Sequence, residues 1–133
     1  MVSKVNFKIR PMTTADEGFV YNSWLRSFRK SMEMDAKTYY FFQHRKIEKL
    51  LRDSRVLMAV HEDDPDQIFG WVCFAPFDED YVVHYLYVKA TFRKLGIGGR
   101  LMEALPEITW YTHKTYGSDF FDVDYNPYVG GVV

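Results

Sequence analysis

A chain of 133 residues can bury one sizeable core but not two, so a single domain over residues 1–133 is expected. Hydrophobic residues at 47% and aromatics at 18% exclude a disordered chain, and a net charge of −1 gives no general electrostatic attraction to nucleic acid or to a membrane surface. One cysteine, Cys73, rules out an internal disulfide framework and points to a reducing, cytoplasmic setting. There is neither an apolar run long enough for a transmembrane helix nor a signal-peptide core in residues 1–10. The aromatics outnumber what a small core needs, so some should line a cleft or a partner surface.

Val5–Arg10 alternates apolar and polar residues and reads as a first strand stopped by Pro11. Thr14-Ala15-Asp16-Glu17 fits a capping box opening a helix to about Ser31, whose apolar stripe is Val20, Tyr21, Trp24, Leu25, Phe28 and Met32. A polar break follows, then a second helix over Ala36–Ser54 with Ala36, Tyr40, Gln43, Ile47, Leu50, Leu51 and Ser54 on a common side. His44 lies beside that stripe, and no second His or Cys stands at metal-ligand spacing, so no metal is expected.

Val56–Val60 is apolar on both faces, as a central strand would be. An acidic turn, His61–Gln67, leads into the strand Ile68–Ala75, where Gly70 marks a bulge or a close approach and Cys73 reads as a small buried residue. Pro76–Asp80 returns the chain into Tyr81–Val88, completing an antiparallel meander. Ile97–Leu105 reads as a helix ended by Pro106, and Ile108–His113 as a strand lying parallel to Tyr81–Val88. Residues 114–133 hold a turn, a strand at Asp119–Tyr125 and a loose tail.

Between strand and helix stands Arg93-Lys94-Leu95-Gly96-Ile97-Gly98-Gly99-Arg100. Three glycines in four residues let backbone approach a ligand, the N–H groups of a new helix point outward, and the three basic side chains add charge; together they describe a site for a phosphate-bearing ligand. A P-loop is excluded because Gly99-Arg100-Leu101 lacks the Lys-Ser/Thr pair, and a dinucleotide fingerprint because Leu101 stands where a small residue is needed. Arg93-x-x-Gly96-x-Gly98, directly after a strand ending Leu86-Tyr87-Val88, resembles the acyl-CoA signature of the GCN5-related N-acetyltransferases, the GNAT superfamily. The order β-α-α-β-β-β-α-β, an α/β (α+β) arrangement on a mixed central sheet, is similar to the GNAT fold over residues 5–113, with a shortened C-terminus in which the usual fourth helix is missing or reduced to a turn.

The resemblance implies an acyl-CoA-dependent N-acyltransferase that takes an acetyl group from acetyl-CoA to an amine, either a small molecule or a protein; near-neutral charge disfavours nucleic acid as acceptor without excluding it. It implies that the main chain of Leu86, Tyr87 and Val88 pairs with the pantetheine arm, and that Arg93, Lys94, Leu95, Gly96, Ile97, Gly98, Gly99 and Arg100 receive the pyrophosphate. It also places acceptor specificity at the junction of the first two helices. Many family members carry a glutamate base where Val82 stands. If residues 80, 82, 84, 86 and 88 share the open face, His84 and Asp80 are the candidate bases; Tyr116, Tyr125 and Tyr128 are candidate acids, with Tyr125 preferred. A bare final sheet edge would make a second copy of the chain a candidate partner. The competing expectation is a domain that has kept this fold, lost turnover and acts through its surface.

Overall fold

The computed structural model describes residues 6–30, 32, 34–113 and 123–126. Strand β1 (Phe7–Pro11) is followed by a 3₁₀ turn (Thr14–Asp16) and helix α1 (Glu17–Arg29), then helix α2 (Ala36–Asp53). Strands β2 (Arg55–His61), β3 (Ile68–Phe77) and β4 (Asp80–Val88) form the meander, helix α3 (Ile97–Glu103) crosses over, and β5 (Trp110–Tyr111) and β6 (Asp124–Tyr125) close the described chain. The strands lie in the order β1-β2-β3-β4-β5-β6, antiparallel from β1 to β4 and parallel from β4 to β6.

Alternation of side chains across the sheet builds two cores. Val56, Met58, Val60, Trp71 and Tyr85 face α1 and α2, meeting Val20, Trp24, Phe28, Tyr39 and Ile47; Ala59, Phe69, Val72 and Val83 face α3, meeting Ile97 and Leu101. The aromatic surplus gathers mainly in the first of these. Trp24 stacks on Tyr85 at 5.1 Å between ring centres and packs against Trp71 at 5.6 Å, and polar groups fasten α1 to the sheet: the Trp71 indole N–H donates to Ser23 Oγ (2.8 Å), and Ser27 Oγ and the Tyr85 hydroxyl share a 2.7 Å hydrogen bond.

Several sequence-derived boundaries shift. Strand β1 ends at Pro11 but includes it, opposite Leu57, and Met12 N–H still reaches Val56 C=O at 3.0 Å. The capping box sits one residue earlier than Thr14–Glu17, because Asp16 reaches back to the Thr13 N–H at 2.8 Å while also gripping Arg10; an aspartate with a second partner outcompetes the glutamate beside it. On α2 the buried stripe is Tyr39, Gln43, Ile47 and Leu50, so Tyr39 is covered and Tyr40 exposed. The Tyr39 hydroxyl is satisfied inside by the Leu25 carbonyl. Helix α3 ends at Glu103, short of Leu105, and β5 is only Trp110–Tyr111, although parallel to β4 as expected. The expected strand Asp119–Tyr125 is seen at Asp124–Tyr125; the missing fourth helix, Tyr116 and Tyr128 lie outside the described residues.

Candidate acyl-CoA site

Two slips in the sheet shape the site. Between β2 and β3 the pairing passes from Ala59–Gly70 to Val60–Ile68, leaving Phe69 as an extra residue; between β3 and β4 it passes from Phe74–Val83 to Cys73–Tyr85, leaving His84. Such a bulge bends a strand and resets which groups face which way. Beyond His84, the face holding Val83 continues with Leu86 and Val88, against α3, while Tyr85 and Tyr87 turn to the α1 side. The expected common face of 80, 82, 84, 86 and 88 is therefore broken at His84.

The main chain is reset as well. Lys89 N–H donates to Phe69 C=O at 2.9 Å, and the carbonyl oxygen of Tyr87 points at Gly70, 2.5 Å from where a Cβ would stand. Residues 85, 87 and 89 thus spend their main-chain groups on β3, and those of Leu86 and Val88 face the opposite edge. On that edge, among the described residues, β5 pairs only with Val82 and Val83, the last bond being Thr112 N–H to Val83 C=O at 3.1 Å. No described residue carries that pairing further, and the fork so formed has the main-chain edge of Leu86 and the N–H of Val88 along one side. Tyr87, one of the three residues expected to offer its backbone, instead gives it to the sheet.

The glycine turn stands beside this edge. Gly96 has φ +84°, a left-handed conformation that side chains disfavour, and it starts α3; Lys94 is also left-handed at φ +65°. The first helical bond is Arg100 N–H to Gly96 C=O at 3.0 Å, so the helix itself supplies no acceptor for the N–H groups of Ile97, Gly98 and Gly99. Gly98 lies over β4: a Cβ there would be 3.5 Å from Leu86 Cδ2 and 3.7 Å from Val88 Cγ2. Ile97 sends its side chain into the core, leaving only its main chain at the turn, and Leu95 is half-buried. The basic residues are not all free of the fold: Arg93 Nε donates to Val88 C=O at 3.1 Å, clamping the end of β4, and the Arg100 guanidinium lies over the Phe7 ring. Lys94 is exposed. Lys89, over the Phe19 ring at 5.1 Å, adds a cation at the β4 terminus that no motif flagged.

His84 sits where the fork begins, only 1% exposed. Its Nδ1 is 2.8 Å from Thr112 Oγ1, which is 2.9 Å from His113 Nδ1, and its Nε2 is buried without a hydrogen-bond partner. Burial lowers the pKa of His84 to about 4 and that of His113 to about 3, so both rings are neutral at pH 7. Thr112 and His113 were not singled out from sequence; the signal was an adjacent Thr-His pair ending a strand parallel to one that carries another histidine. Val82, where a family glutamate would stand, packs on Ala75 and Trp110. Asp80 lies at the far end of β4, accepting from Thr109 Oγ1 at 3.1 Å. Tyr125 is not brought to His84: it pairs opposite Tyr111 on β6, with β5 between it and β4, and is 40% exposed. Cys73 is fully buried and its thiol is pushed up to about 12, which removes it as a nucleophile.

The model of the acetyltransferase (GNAT) family matches residues 19–111, well over half of the chain. The chain belongs to the GNAT family. Solved GNAT structures agree in fold. A Brucella melitensis GNAT acetyltransferase in complex with acetyl-CoA superposes with a TM-score of 0.56 at 18% identity, covering 73% of this chain and 64% of that one. The Escherichia coli GNAT N-acetyltransferase YhbS in complex with CoA gives 0.55 at 20% identity, with 77% and 56% covered. An Elizabethkingia anophelis GNAT acetyltransferase with acetyl-CoA bound gives 0.51 at 21%, with 75% and 55% covered. The chain therefore spans less than two-thirds of the length of each of these GNAT structures. No curated protein matches it by sequence. Among the described residues no helix is long and apolar enough to cross a membrane, and no three His, Cys, Asp or Glu side chains gather as a metal site.

Proposed function

We propose that this GNAT domain is an acyl-CoA-dependent N-acetyltransferase, with acetyl-CoA as donor substrate and an amine as acceptor. The observation that carries the reading is the fork: among the described residues β4 makes no bond to β5 beyond Val83, so Leu86 keeps an open main-chain edge and Val88 an open N–H beside Gly98 and the α3 N-terminus. An extended amide-bearing arm can pair with that edge as an added strand does. Ile97, Gly98 and Gly99 would offer N–H groups to the diphosphate, with Lys94 and Lys89 adding charge. The acceptor nitrogen attacks the thioester carbonyl, the C–S bond breaks, and the nitrogen's proton leaves to a base; holding the two reactants in line supplies much of the rate. His84 is the candidate base. Acceptor choice is assigned to the junction of α1 and α2.

Acetyl-CoA at 100 times its dissociation constant should stabilise the fold by ~2.7 kcal/mol, read as a shift of the thermal midpoint. Gly98→Glu, which puts a carboxylate beside Leu86 and Val88, should abolish the shift. Thiol release with a panel of small amines and lysine peptides then tests turnover. No shift with acetyl-CoA or CoA would refute the assignment.

One observation favours a second reading, that of a surface-acting domain without turnover: Phe41 and Phe42 on α2 are 62% and 56% exposed. Stabilisation by CoA with no thiol release from any amine would select it.

A further inference from the structure

The hydroxyl of Thr112 lies between two imidazoles, 2.8 Å from Nδ1 of His84 and 2.9 Å from Nδ1 of His113. A hydroxyl has one proton to give and two lone pairs, so at most one of these nitrogens accepts from it and at least one donates to it. In one assignment His84 Nδ1 is the donor and the Thr112 proton is left for His113 Nδ1. Thr112 Oγ1 then accepts from His84 Nδ1–H, and the proton count ends with a bare lone pair on His84 Nε2. The opposite assignment would put an N–H on His84 Nε2, an atom that is buried with no partner, and orphaned buried donors are rarer than under-satisfied acceptors.

The place matters as much as the protonation. His84 is the bulged residue of β4, and among the described residues Thr112 makes the last bond joining β5 to β4 and the first free main-chain edge, Leu86, comes two residues later. Two residues along a strand is about 7 Å, so the imidazole stands at the closed end of the fork. Trp24, Phe28 and Tyr85 pack against the His113 ring and fix its plane.

We propose that Thr112 and His113 are positioning residues that hold His84 in the tautomer with Nδ1 protonated and Nε2 free to accept a proton at the fork. This deepens the acyl-transfer reading and rests on it for its chemical purpose. The proton released by the acceptor nitrogen as the new C–N bond forms and the C–S bond breaks passes to His84 Nε2, then to the departing thiolate. Thr112 and His113 stabilise the transient imidazolium through its Nδ1–H.

The test reads the tautomer directly. Long-range ¹H–¹⁵N correlation spectra of the histidine-labelled protein at pH 7, without ligand, should show His84 with a protonated Nδ1 and an unprotonated Nε2. Thr112→Val removes the hydroxyl at nearly constant shape and should shift His84 toward the Nε2–H form; Thr112→Ser should restore the wild-type pattern. With acetyl-CoA and a working acceptor, Thr112→Val should lower kcat by about 10²-fold, the low end of what a positioned base contributes, with KM for acetyl-CoA unchanged, and Thr112→Ser should recover most of it. A wild-type His84 already protonated on Nε2, or a Thr112→Val protein with unchanged tautomer and kcat, overturns the relay. Because the spectra need no turnover, a wrong tautomer in an active enzyme discards the relay alone, whereas absent acetyl-CoA binding discards the enzymatic reading.

Discussion

The pair Arg10–Asp16 lets one charge be weighed. Asp16 is 5% exposed, its carboxylate takes Arg10 Nη1 at 2.6 Å and Nη2 at 3.0 Å, and it also accepts from the Thr13 N–H and hydroxyl at 2.8 and 3.0 Å. Arg10 in turn donates to the Pro65 carbonyl at 2.9 Å, so the cluster ties the start of α1 to the β2–β3 turn. The Arg10 hydrogen bonds hold the Asp16 carboxyl at about 2, against an ordinary 3.8. At about 1.4 kcal/mol per pKa unit this is ~2 kcal/mol of folding stability. The folded pKa is depressed, so the contribution is complete above pH 3.8 and is lost as pH falls from 3.8 through 2. Asp16→Asn removes the charge and turns an NH₂ group toward Arg10. The gap between wild type and variant in urea unfolding, followed by tryptophan fluorescence, should be ~2 kcal/mol at pH 7 and close toward zero near pH 2. Both proteins carry the same histidines, which cancel in the difference. A gap under ~0.5 kcal/mol at pH 7, the size of an exposed pair, or one that persists undiminished at pH 2.5, would refute the account.

Other outcomes follow from the same geometry. Gly70→Ala would put a Cβ 2.5 Å from the Tyr87 carbonyl oxygen, so it should cost roughly 2 kcal/mol or more and weaken acetyl-CoA binding by displacing the β4 edge; calorimetry showing unchanged affinity would count against that edge as the binding element. Gly96→Ala meets no neighbour within 4 Å but is strained by φ +84°, and should lose about 1–2 kcal/mol. Gly99→Ala meets no neighbour either and has no such strain; unfolding should show equal or greater stability, while acetyl-CoA affinity drops if backbone approach at that residue matters. His84 and His113 are held below their ordinary 6.5 by burial. Their contribution is therefore full above pH 6.5 and declines as pH falls toward 4, so the thermal midpoint should drop over that window, and a flat profile would contradict the burial seen for both rings.

The order of elements could be read from sequence because periodicity and glycine chemistry are local. The stripe on α1, the two-sided apolar run of β2 and the strand–glycine–helix unit all stood where expected. Tyr39 against Tyr40 on α2 differed because adjacent tyrosines satisfy a helical stripe almost equally, and only the Leu25 carbonyl, available to one of them, separates the two. The glycines differed in purpose: Gly96 serves the turn and Gly98 the packing on β4, whereas Gly99 has neither a left-handed φ nor a neighbour within 4 Å. The partners of His84 were hidden because Thr112 and His113 are 28 and 29 positions away, joined to it by the parallel pairing of β4 with β5.

One extra residue in β4 also governs how substitutions are transmitted along it. Inward and outward positions exchange parity at His84, so deleting any single residue between Asp80 and Val88 would either erase that offset or create another. Losing His84 itself would restore unbroken alternation: Val83, Leu86 and Val88 already share one face and one edge, so Tyr87 would stay against β3 and Leu86 toward the open side. A length change of one at that spot would therefore leave the strand's hydrogen-bonding frame intact and remove only the imidazole, whereas one elsewhere in β4 would offset one half of the strand against the other.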